Sequence, residues 1–245
     1  MSENNGQMIA LVTGANKGIG FEVARQLARR GDTVLLAARN EERGREAEAK
    51  LKAEGFDVHF VHLDVEDTET HQTVAKFVGE KFDRLDVLVN NAGIALDAGS
   101  KASNVSPDVL RKTFDTNLFG VIAVTQAFLP LLKKSDDGRI VNVSSGLGSL
   151  TQHSDPTWEF YGVKPLAYNA SKTALNAFTV MLAHELKETK IKVNSADPGF
   201  TATDLNGHSG YRTVEQGATV IVELASLPSD GTTGGYFDEN GVVPW

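Results

Sequence analysis

The sequence contains IALVTGANKGIG at residues 9–20, a short apolar run followed at once by a glycine-rich turn. The apolar run predicts a buried strand, and the amphipathic residues after the turn predict a helix. In such a unit Gly14 permits the tight turn, Gly18 lets the backbone approach a pyrophosphate, and Gly20 allows close helix packing. Backbone amides and the helix dipole then meet the phosphate charge, so we predict a dinucleotide site. The residues expected to contact it are Gly14, Asn16, Lys17, Gly18, Ile19 and Gly20.

The glycine spacing is Gly-x3-Gly-x-Gly and differs from the usual Gly-x-Gly-x-x-Gly, so the turn taken alone is also compatible with a plain loop. Its position between a strand and a helix favours the dinucleotide site.

The rest of the chain alternates short β-branched apolar runs with longer amphipathic stretches. That pattern is typical of βαβ units that build a parallel sheet. The predicted strands are 9–13, 33–38, 58–62, 87–90, 139–143, 192–195 and 235–237, and the predicted helices are 19–30, 41–54, 68–82, 107–133, 166–188 and 213–226. We therefore predict an α/β fold, with one Rossmann-like domain over residues 1–245. Its doubly wound parallel sheet of about seven strands would be flanked by helices on both faces.

The composition limits the classes of function. The chain has 245 residues, 41% hydrophobic and 23% charged, which is enough for one large core. Its net charge of -8 disfavours nucleic-acid and anionic-membrane partners, and no apolar run approaches the roughly 20 residues of a membrane span. The absence of cysteine excludes thiolate chemistry, and six histidines without a ligand motif predict no metal site. We expect a cytoplasmic protein that acts on a small molecule.

The residue at the end of the second predicted strand discriminates between the two nicotinamide dinucleotides. An acidic residue there accepts hydrogen bonds from the ribose of NAD and repels the 2'-phosphate of NADP. This chain has Ala38 followed by Arg39. The Arg39 guanidinium can hold a phosphate through two charge-assisted hydrogen bonds, and Lys17 can add a second positive charge. We therefore predict NADPH/NADP+ as the cofactor; the alternative is that both residues are ordinary surface cations.

Three further motifs are Asn90-Asn91-Ala92-Gly93 after the fourth strand, Ser144-Ser145 after the fifth, and Tyr168-Asn169-Ala170-Ser171-Lys172 in a helix. Together with the glycine turn and residues 198–203, they resemble the short-chain dehydrogenase/reductase family, in the family's order and over nearly the whole chain. The glycine turn and residues 242–245 are most similar to its carbonyl reductase branch and related ketone reductases.

Tyr168 and Lys172 are four residues apart, so they share one face of a helix. The ordinary pKa of a tyrosine is near 10, and an adjacent ammonium is expected to lower the pKa of Tyr168 by stabilising its phenolate. A shift of about three units needs roughly 4 kcal/mol, which a close cation could supply. Tyr168 would then give a proton to a carbonyl oxygen as hydride reaches the carbonyl carbon, and the roles would reverse in oxidation.

The resemblance implies roles for further residues. The second serine of the family's serine pairs is catalytic, which favours Ser145 over Ser144, and Ser145 could donate a hydrogen bond to the same substrate oxygen. Asn117 matches a helix asparagine whose backbone carbonyl holds a water that relays protons to the lysine. Besides Tyr168 and Lys172, the implied cofactor contacts are Asp64, Val65, Asn90, Ala92, Gly93, Pro198, Gly199 and Thr203.

The expected function is reversible, NADPH-dependent reduction of ketones or aldehydes to alcohols. A 3-oxoacyl thioester reductase and an NADP-dependent alcohol dehydrogenase are alternatives, whereas the intact Tyr168 and Lys172 pair disfavours a non-enzymatic dinucleotide sensor. The segment before Tyr168 is longer than in the most compact family members and carries Trp158, Phe160 and Tyr161. It could wall an apolar pocket or cover the surface where relatives dimerise, so a monomer and a homo-oligomer are both compatible with the sequence.

Overall fold

One sheet organises the chain in a computed structural model, which describes residues 7–245. Its strands are β1 (Ile9–Thr13), β2 (Thr33–Ala38), β3 (Val58–His62), β4 (Val87–Asn90), β5 (Arg139–Val143), β6 (Lys192–Ala196), β7 (Tyr236–Asp238) and β8 (Gly241–Val242). They are ordered β3-β2-β1-β4-β5-β6-β7-β8, and all described neighbours pair in parallel except β7 and β8. The chain order reverses between β1 and β4, where ligands of doubly wound sheets bind.

Helices cover both faces of the sheet. They are α1 (Gly18–Arg29), α2 (Glu41–Ala53), α3 (Thr68–Phe82), α4 (Pro107–Phe114), α5 (Gly120–Leu132), α6 (Leu150–Ser154), α7 (Leu166–Glu185) and α8 (Val214–Ala225). One core cluster contains apolar residues of α1, α2 and α8, and a second contains residues of α3, α5 and α7. Strands β1 and β2 are buried along their whole length. A strand that is covered on both faces needs apolar side chains on both, which explains their apolar sequences.

The predicted α/β fold is confirmed, with local differences. The helix predicted over 107–133 is interrupted by a π-helical turn at Asp115–Phe119, which separates α4 from α5. An eighth strand follows β7 through a hairpin whose Gly241 has a φ of +117°, a backbone conformation that favours glycine. Helix α6 was not predicted, and α7 ends three residues before the predicted end.

The helical run Pro107–Leu132 is long and apolar enough by composition to cross a membrane, with a mean hydropathy of 1.3. The run includes Asp108, Arg111, Lys112 and Asp115, so it is not a continuous apolar stretch of that length. Half of its most apolar 18-residue window is buried inside the structure, and Val124 and Phe128 are fully buried in the second core cluster. Such burial is typical of a core helix.

Candidate active site

A cleft of about 1500 Å³ lies along the carboxyl ends of the strands and crosses the point between β1 and β4 where the chain order reverses. Its walls come from the segments that follow β1 to β6. Typical small-ligand pockets enclose about 300–1,000 Å³, so this cleft has room for a dinucleotide and a second small molecule.

The glycine turn after β1 forms one end of this cleft. Gly14 and Gly18 have φ values of +63° and +59°, which side-chain-bearing residues rarely adopt. A Cβ at Gly14 would lie 2.9 Å from the Ala92 Cα, so the turn packs directly on the segment after β4. Helix α1 begins at Gly18, and its first backbone amides have no partner within the helix. This backbone cradle fits the pyrophosphate of a dinucleotide.

The side chains of the two adjacent asparagines at the end of β4 point in different directions. Asn91 lines the cleft, and its Nδ2 donates to the Thr13 carbonyl at 2.8 Å, which ties the segment to the glycine turn. Asn90, the predicted cofactor contact, lies outside the cleft lining. Its Nδ2 donates to Thr125 Oγ1 at 3.0 Å and to Asn142 Oδ1 at 2.9 Å in the buried sheet. Successive side chains of an extended chain point to opposite sides, which explains why only one of the pair reaches the cleft.

Three basic residues line the end of the cleft nearest β2. Arg39 and Arg43 form no ion pair among residues 7–245, whereas Lys17 is paired with Asp204 across the mouth of the cleft. Arg43 was not predicted from the sequence. It belongs to the first turn of α2, where the Asn40 side chain accepts a hydrogen bond from the Arg43 backbone amide at 2.9 Å. Two guanidinium groups therefore stand where a 2'-phosphate would lie.

Tyr168 and Lys172 enter the opposite end of the cleft from α7. Both are buried, with exposed fractions of 9% and 4%. The Lys172 Nζ donates to the Val143 carbonyl at the end of β5 at 2.7 Å and lies 5.7 Å from the centre of the Tyr168 ring. Ser145, two residues after Val143, lies close enough to the Tyr168 hydroxyl to affect its pKa. The three predicted catalytic groups are thus gathered at one point.

Burial sets the protonation of this pair. Burial raises the pKa of Tyr168 to about 12; the nearby Ser145 hydroxyl opposes this rise, and the Asp197 charge adds to it. Burial also lowers the pKa of Lys172 to about 8, against the opposing effect of Asp197. The sequence predicted a lowered pKa for Tyr168, and in the protein alone the shift has the opposite sign. Loss of hydration outweighs the nearby ammonium because the phenolate would be buried.

Asn117 lies in the π-helical turn rather than in an ordinary helix. Its side chain is fully buried: Oδ1 accepts from the Ile94 amide at 2.8 Å, and Nδ2 donates to the Ile94 carbonyl at 2.9 Å and to Ser171 Oγ at 3.0 Å. A Cβ at Gly93 would lie 3.5 Å from Asn117 Oδ1 and 3.6 Å from Lys172 Nζ. Asn117 therefore lies near Lys172 but does not line the cleft. π-Helical turns such as the one that carries Asn117 are frequent at functional sites.

Two acidic residues of the site were missed in the sequence. The Asp97 carboxylate is buried and accepts hydrogen bonds from the amides of Ala167 and Tyr168 at 2.6 and 3.3 Å. Asp197 follows β6, and its Oδ1 accepts from the Gly199 amide at 2.9 Å. Burial raises the pKa of Asp197 to about 6. Asp197 could have been found from the sequence, because it directly precedes Pro198 and Gly199. Asp97 could not, because it is 70 residues from Ala167, whose amide it contacts.

The predicted site residues fall into two groups. Those that line the cleft are Gly14, Asn16, Lys17, Gly18, Ile19, Gly20, Arg39, Asp64, Val65, Ala92, Gly93, Ser145, Tyr168, Lys172, Pro198, Gly199 and Thr203. Asn90 and Asn117 do not. Of the aromatic segment before α7, Trp158 and Phe160 belong to the wall of the cleft, whereas Tyr161 lies outside it. No group of three or more His, Cys, Asp or Glu side chains within residues 7–245 is placed to hold a metal ion.

A dinucleotide-type cleft on a doubly wound sheet, with a buried tyrosine and lysine one helical turn apart, defines an oxidoreductase. The family model described as short chain dehydrogenase matches residues 8–213, and the chain belongs to this family.

The chain is similar to characterised members over its whole length. It is 39% identical to a short-chain dehydrogenase of Penicillium roqueforti, with 96% of each protein covered. It is 36% identical to the NADPH carbonyl reductase 1 of Bos taurus, with 100% of both covered. The solved structure of an NADPH-bound carbonyl reductase from chicken fatty liver superposes with a TM-score of 0.85 at 28% identity, covering 98% of this chain and 99% of that one. The predicted likeness to carbonyl reductases is confirmed.

Proposed function

We propose that this protein is an NADPH-dependent reductase that converts ketones and aldehydes to alcohols by reversible hydride transfer. The observation that carries the proposal is the meeting of Ser145, Tyr168 and Lys172 at one buried end of the cleft opened by the glycine turn. A hydroxyl, a phenol and an ammonium can together polarise one carbonyl oxygen and deliver a proton to it.

The cofactor is NADPH in reduction and NADP+ in oxidation. The bovine and chicken carbonyl reductases carry NADPH in their names, and the cleft of this chain presents the matching groups. Backbone amides of residues 14–20 would hold the pyrophosphate, and Arg39 and Arg43 would hold the 2'-phosphate. When bound, NADPH supplies the hydride.

The residues of the chain supply the proton. Because the pKa of Tyr168 is about 12, its hydroxyl stays protonated over the neutral range and is ready to act as a donor. Ser145 would donate a hydrogen bond to the carbonyl oxygen, and Tyr168 would transfer its proton there as negative charge develops. Lys172 would stabilise the phenolate that remains. In the reverse direction the phenolate would accept a proton from the alcohol.

Two related activities use the same groups. Reduction of a 3-oxoacyl thioester and oxidation of an alcohol with NADP+ both need Tyr168 and Lys172. A dinucleotide sensor would have no need of a buried phenol and ammonium in the cleft.

A panel of activated ketones and aldehydes, assayed with NADPH and with NADH, tests the proposal. We expect NADPH consumption by the unmodified protein and a loss of about 10²–10⁴-fold in kcat for Tyr168→Phe, with NADPH binding retained in a fluorescence titration. Tyr161→Phe is the matched control, because Tyr161 lies outside the cleft and should leave kcat unchanged. Full turnover by Tyr168→Phe would exclude the proposed proton donor.

A further inference from the structure

Four aromatic rings form a continuous row along the wall of the cleft. Trp158 contacts Phe160, Phe160 contacts Phe200, and Phe200 contacts Tyr211, with ring centres 5.6, 5.7 and 5.9 Å apart. Two of the rings come from the segment before α7 and two from the segment after β6, so the row joins both sides of the opening. All four residues line the cleft, and none of them is fully buried.

Carboxylates accompany this row. Glu159, Asp197, Asp238 and Glu239 all line the cleft, and Arg212 is paired with Glu239. Within residues 7–245, the other three carboxylates have no lysine or arginine partner at ion-pair distance. Glu159 lies beside the row, where its carboxylate accepts a hydrogen bond of 3.4 Å from the Tyr211 hydroxyl. Arg212 and Lys172 are the cations at this end, so against four carboxylates the substrate end of the cleft is aromatic and carries a net negative charge.

The aromatic row and the carboxylates lie close together beside Gly146. A Cβ built on Gly146 would lie 2.9 Å from Asp197 Oδ2, 3.2 Å from Gln152 Oε1 and 3.3 Å from the Trp158 ring. The Gln152 Oε1 is buried and has no hydrogen-bond partner. A carboxylate oxygen, an unpartnered amide oxygen and an indole edge thus converge at one place, and all three residues line the cleft.

We propose that the substrate end of this cleft selects carbonyl compounds that carry a cationic group, a quaternary or protonated amine, attached to an apolar body. This inference rests on the proposed reductase function and names its substrate class. Aromatic faces attract a desolvated alkylammonium, carboxylates attract its charge, and the unpartnered amide oxygen can accept a hydrogen bond from a protonated amine. The same groups disfavour an anionic substrate.

The distance between the two ends of such a substrate is short. The Asp197 carboxylate acts on the charges of both Tyr168 and Lys172, so it lies within electrostatic reach of the catalytic hydroxyl. We therefore expect the carbonyl and the cation of such a substrate to lie close together in its structure.

Three aryl methyl ketones of matched shape test the inference. They are para-acetylbenzyl(trimethyl)ammonium, which is cationic, para-neopentylacetophenone, which is its neutral isostere, and para-acetylphenylacetate, which is anionic. The methylene spacer limits electronic differences at the carbonyl. We expect kcat/KM with NADPH to be about tenfold higher for the cation than for the neutral ketone, and lower still for the anion.

Substitutions then locate the effect. Asp197→Asn and Glu159→Gln should each reduce the ratio of kcat/KM between the cationic and neutral ketones by about three- to tenfold. Asp230→Asn is the matched control, since Asp230 is exposed and lies outside the cleft. It should leave the ratio unchanged. Because the ratio compares two substrates on one variant, a general loss of activity does not alter it.

The outcomes separate this inference from the proposed function. If none of the three ketones, nor any carbonyl compound of the panel, consumes NADPH, the reductase assignment fails. If the neutral ketone is reduced while the cation is no better a substrate, the assignment stands and the preference for cations is overturned. An unchanged ratio in both carboxylate variants would also overturn it. If Asp197→Asn does not fold, Glu159→Gln and the comparison of the three ketones decide the question.

Discussion

The Asp97 carboxylate holds the amino end of the helix that presents Tyr168. It accepts a hydrogen bond of 2.6 Å from the Ala167 amide and one of 3.3 Å from the Tyr168 amide. Helix α7 has no side-chain cap from Pro165, the residue that precedes it, so the buried carboxylate satisfies amides that would otherwise lack partners. The position of the phenol thus depends on an acid in the segment after β4.

Asp97→Ala should therefore damage both stability and catalysis. Two buried amides would lose their acceptor, which is expected to lower the free energy of unfolding by about 1–3 kcal/mol, as measured in urea. The first turn of α7 would loosen, and we expect kcat to fall about tenfold or more. Asp67→Ala is the control, because Asp67 caps α3 by accepting from the Glu69 amide at 2.9 Å, away from the cleft. It should lose about 1 kcal/mol and keep its kcat. Equal kcat values in the two variants would contradict the positioning role of Asp97.

Removal of the guanidinium groups near β2 should weaken NADPH selectively. Under the proposed function, Arg39→Ala and Arg43→Ala would each delete a charge-assisted contact to the 2'-phosphate, and each should raise KM for NADPH about 10–100-fold. KM for NADH, which lacks that phosphate, should change little. Arg45→Ala is a control on the same helix, since Arg45 is paired with Glu41 and does not line the cleft. A parallel rise for both cofactors would show that these arginines do not read the phosphate.

The fold could be predicted from the sequence because its elements have continuous patterns. The bounds of β1 to β5 were predicted without error, since short runs rich in β-branched and apolar residues end at polar or turn residues. The π-helical turn was missed because a single turn of i to i+5 hydrogen bonds alters the helical periodicity over too few residues to detect. The short hairpin of β7 and β8 depends on Gly241, and two-residue strands leave too little pattern to detect.

Contacts between site residues that are close together in the sequence could be predicted. The four-residue spacing of Tyr168 and Lys172 places them on one helical face whatever the rest of the fold does. The contact between Asp97 and α7, by contrast, appears only once distant segments are packed. The direction of the Tyr168 pKa shift was wrong for a similar reason, because the degree of burial of a hydroxyl cannot be read from its neighbours in sequence.

Gly146→Ala should disturb the junction between the loop that carries Ser145 and the substrate end of the cleft. The added methyl would stand 2.9 Å from Asp197 Oδ2, closer than real Cβ atoms lie, and 3.3 Å from the Trp158 ring, which is tighter than most contacts. We expect a loss of about 1–3 kcal/mol in the free energy of unfolding and a lower kcat/KM for ketones. Gly162→Ala is the control, because a Cβ there meets no atom within 4 Å. It should be nearly neutral in stability and activity. Similar behaviour of the two variants would mean that the space beside Gly146 is not confined.

Lys172 should set the alkaline limit of activity. Its pKa is about 8, below the ordinary lysine value of 10.5, so the ammonium is present below pH 8 and lost as the pH rises through that value. The groups around it are the Tyr168 ring one turn earlier, the Val143 carbonyl on β5 and Asp197 after β6. We expect kcat/KM for NADPH, which reports groups of the free enzyme, to fall tenfold per pH unit above about pH 8.

Asp197→Asn tests whether Lys172 is the group that titrates at alkaline pH. The Asp197 charge raises the pKa of Lys172 and thereby opposes the effect of burial. Without that charge the ammonium is less favoured, so the alkaline limb should move to lower pH, and the control Asp230→Asn should leave it in place. Lys172 is not the titrating group if kcat/KM of Asp197→Asn begins to fall at a higher pH than that of the unmodified protein. The same conclusion follows if kcat/KM falls only near pH 12, the pKa of Tyr168. The shift is expected in this direction because a neutral lysine costs less to bury than a charged one when no carboxylate is near.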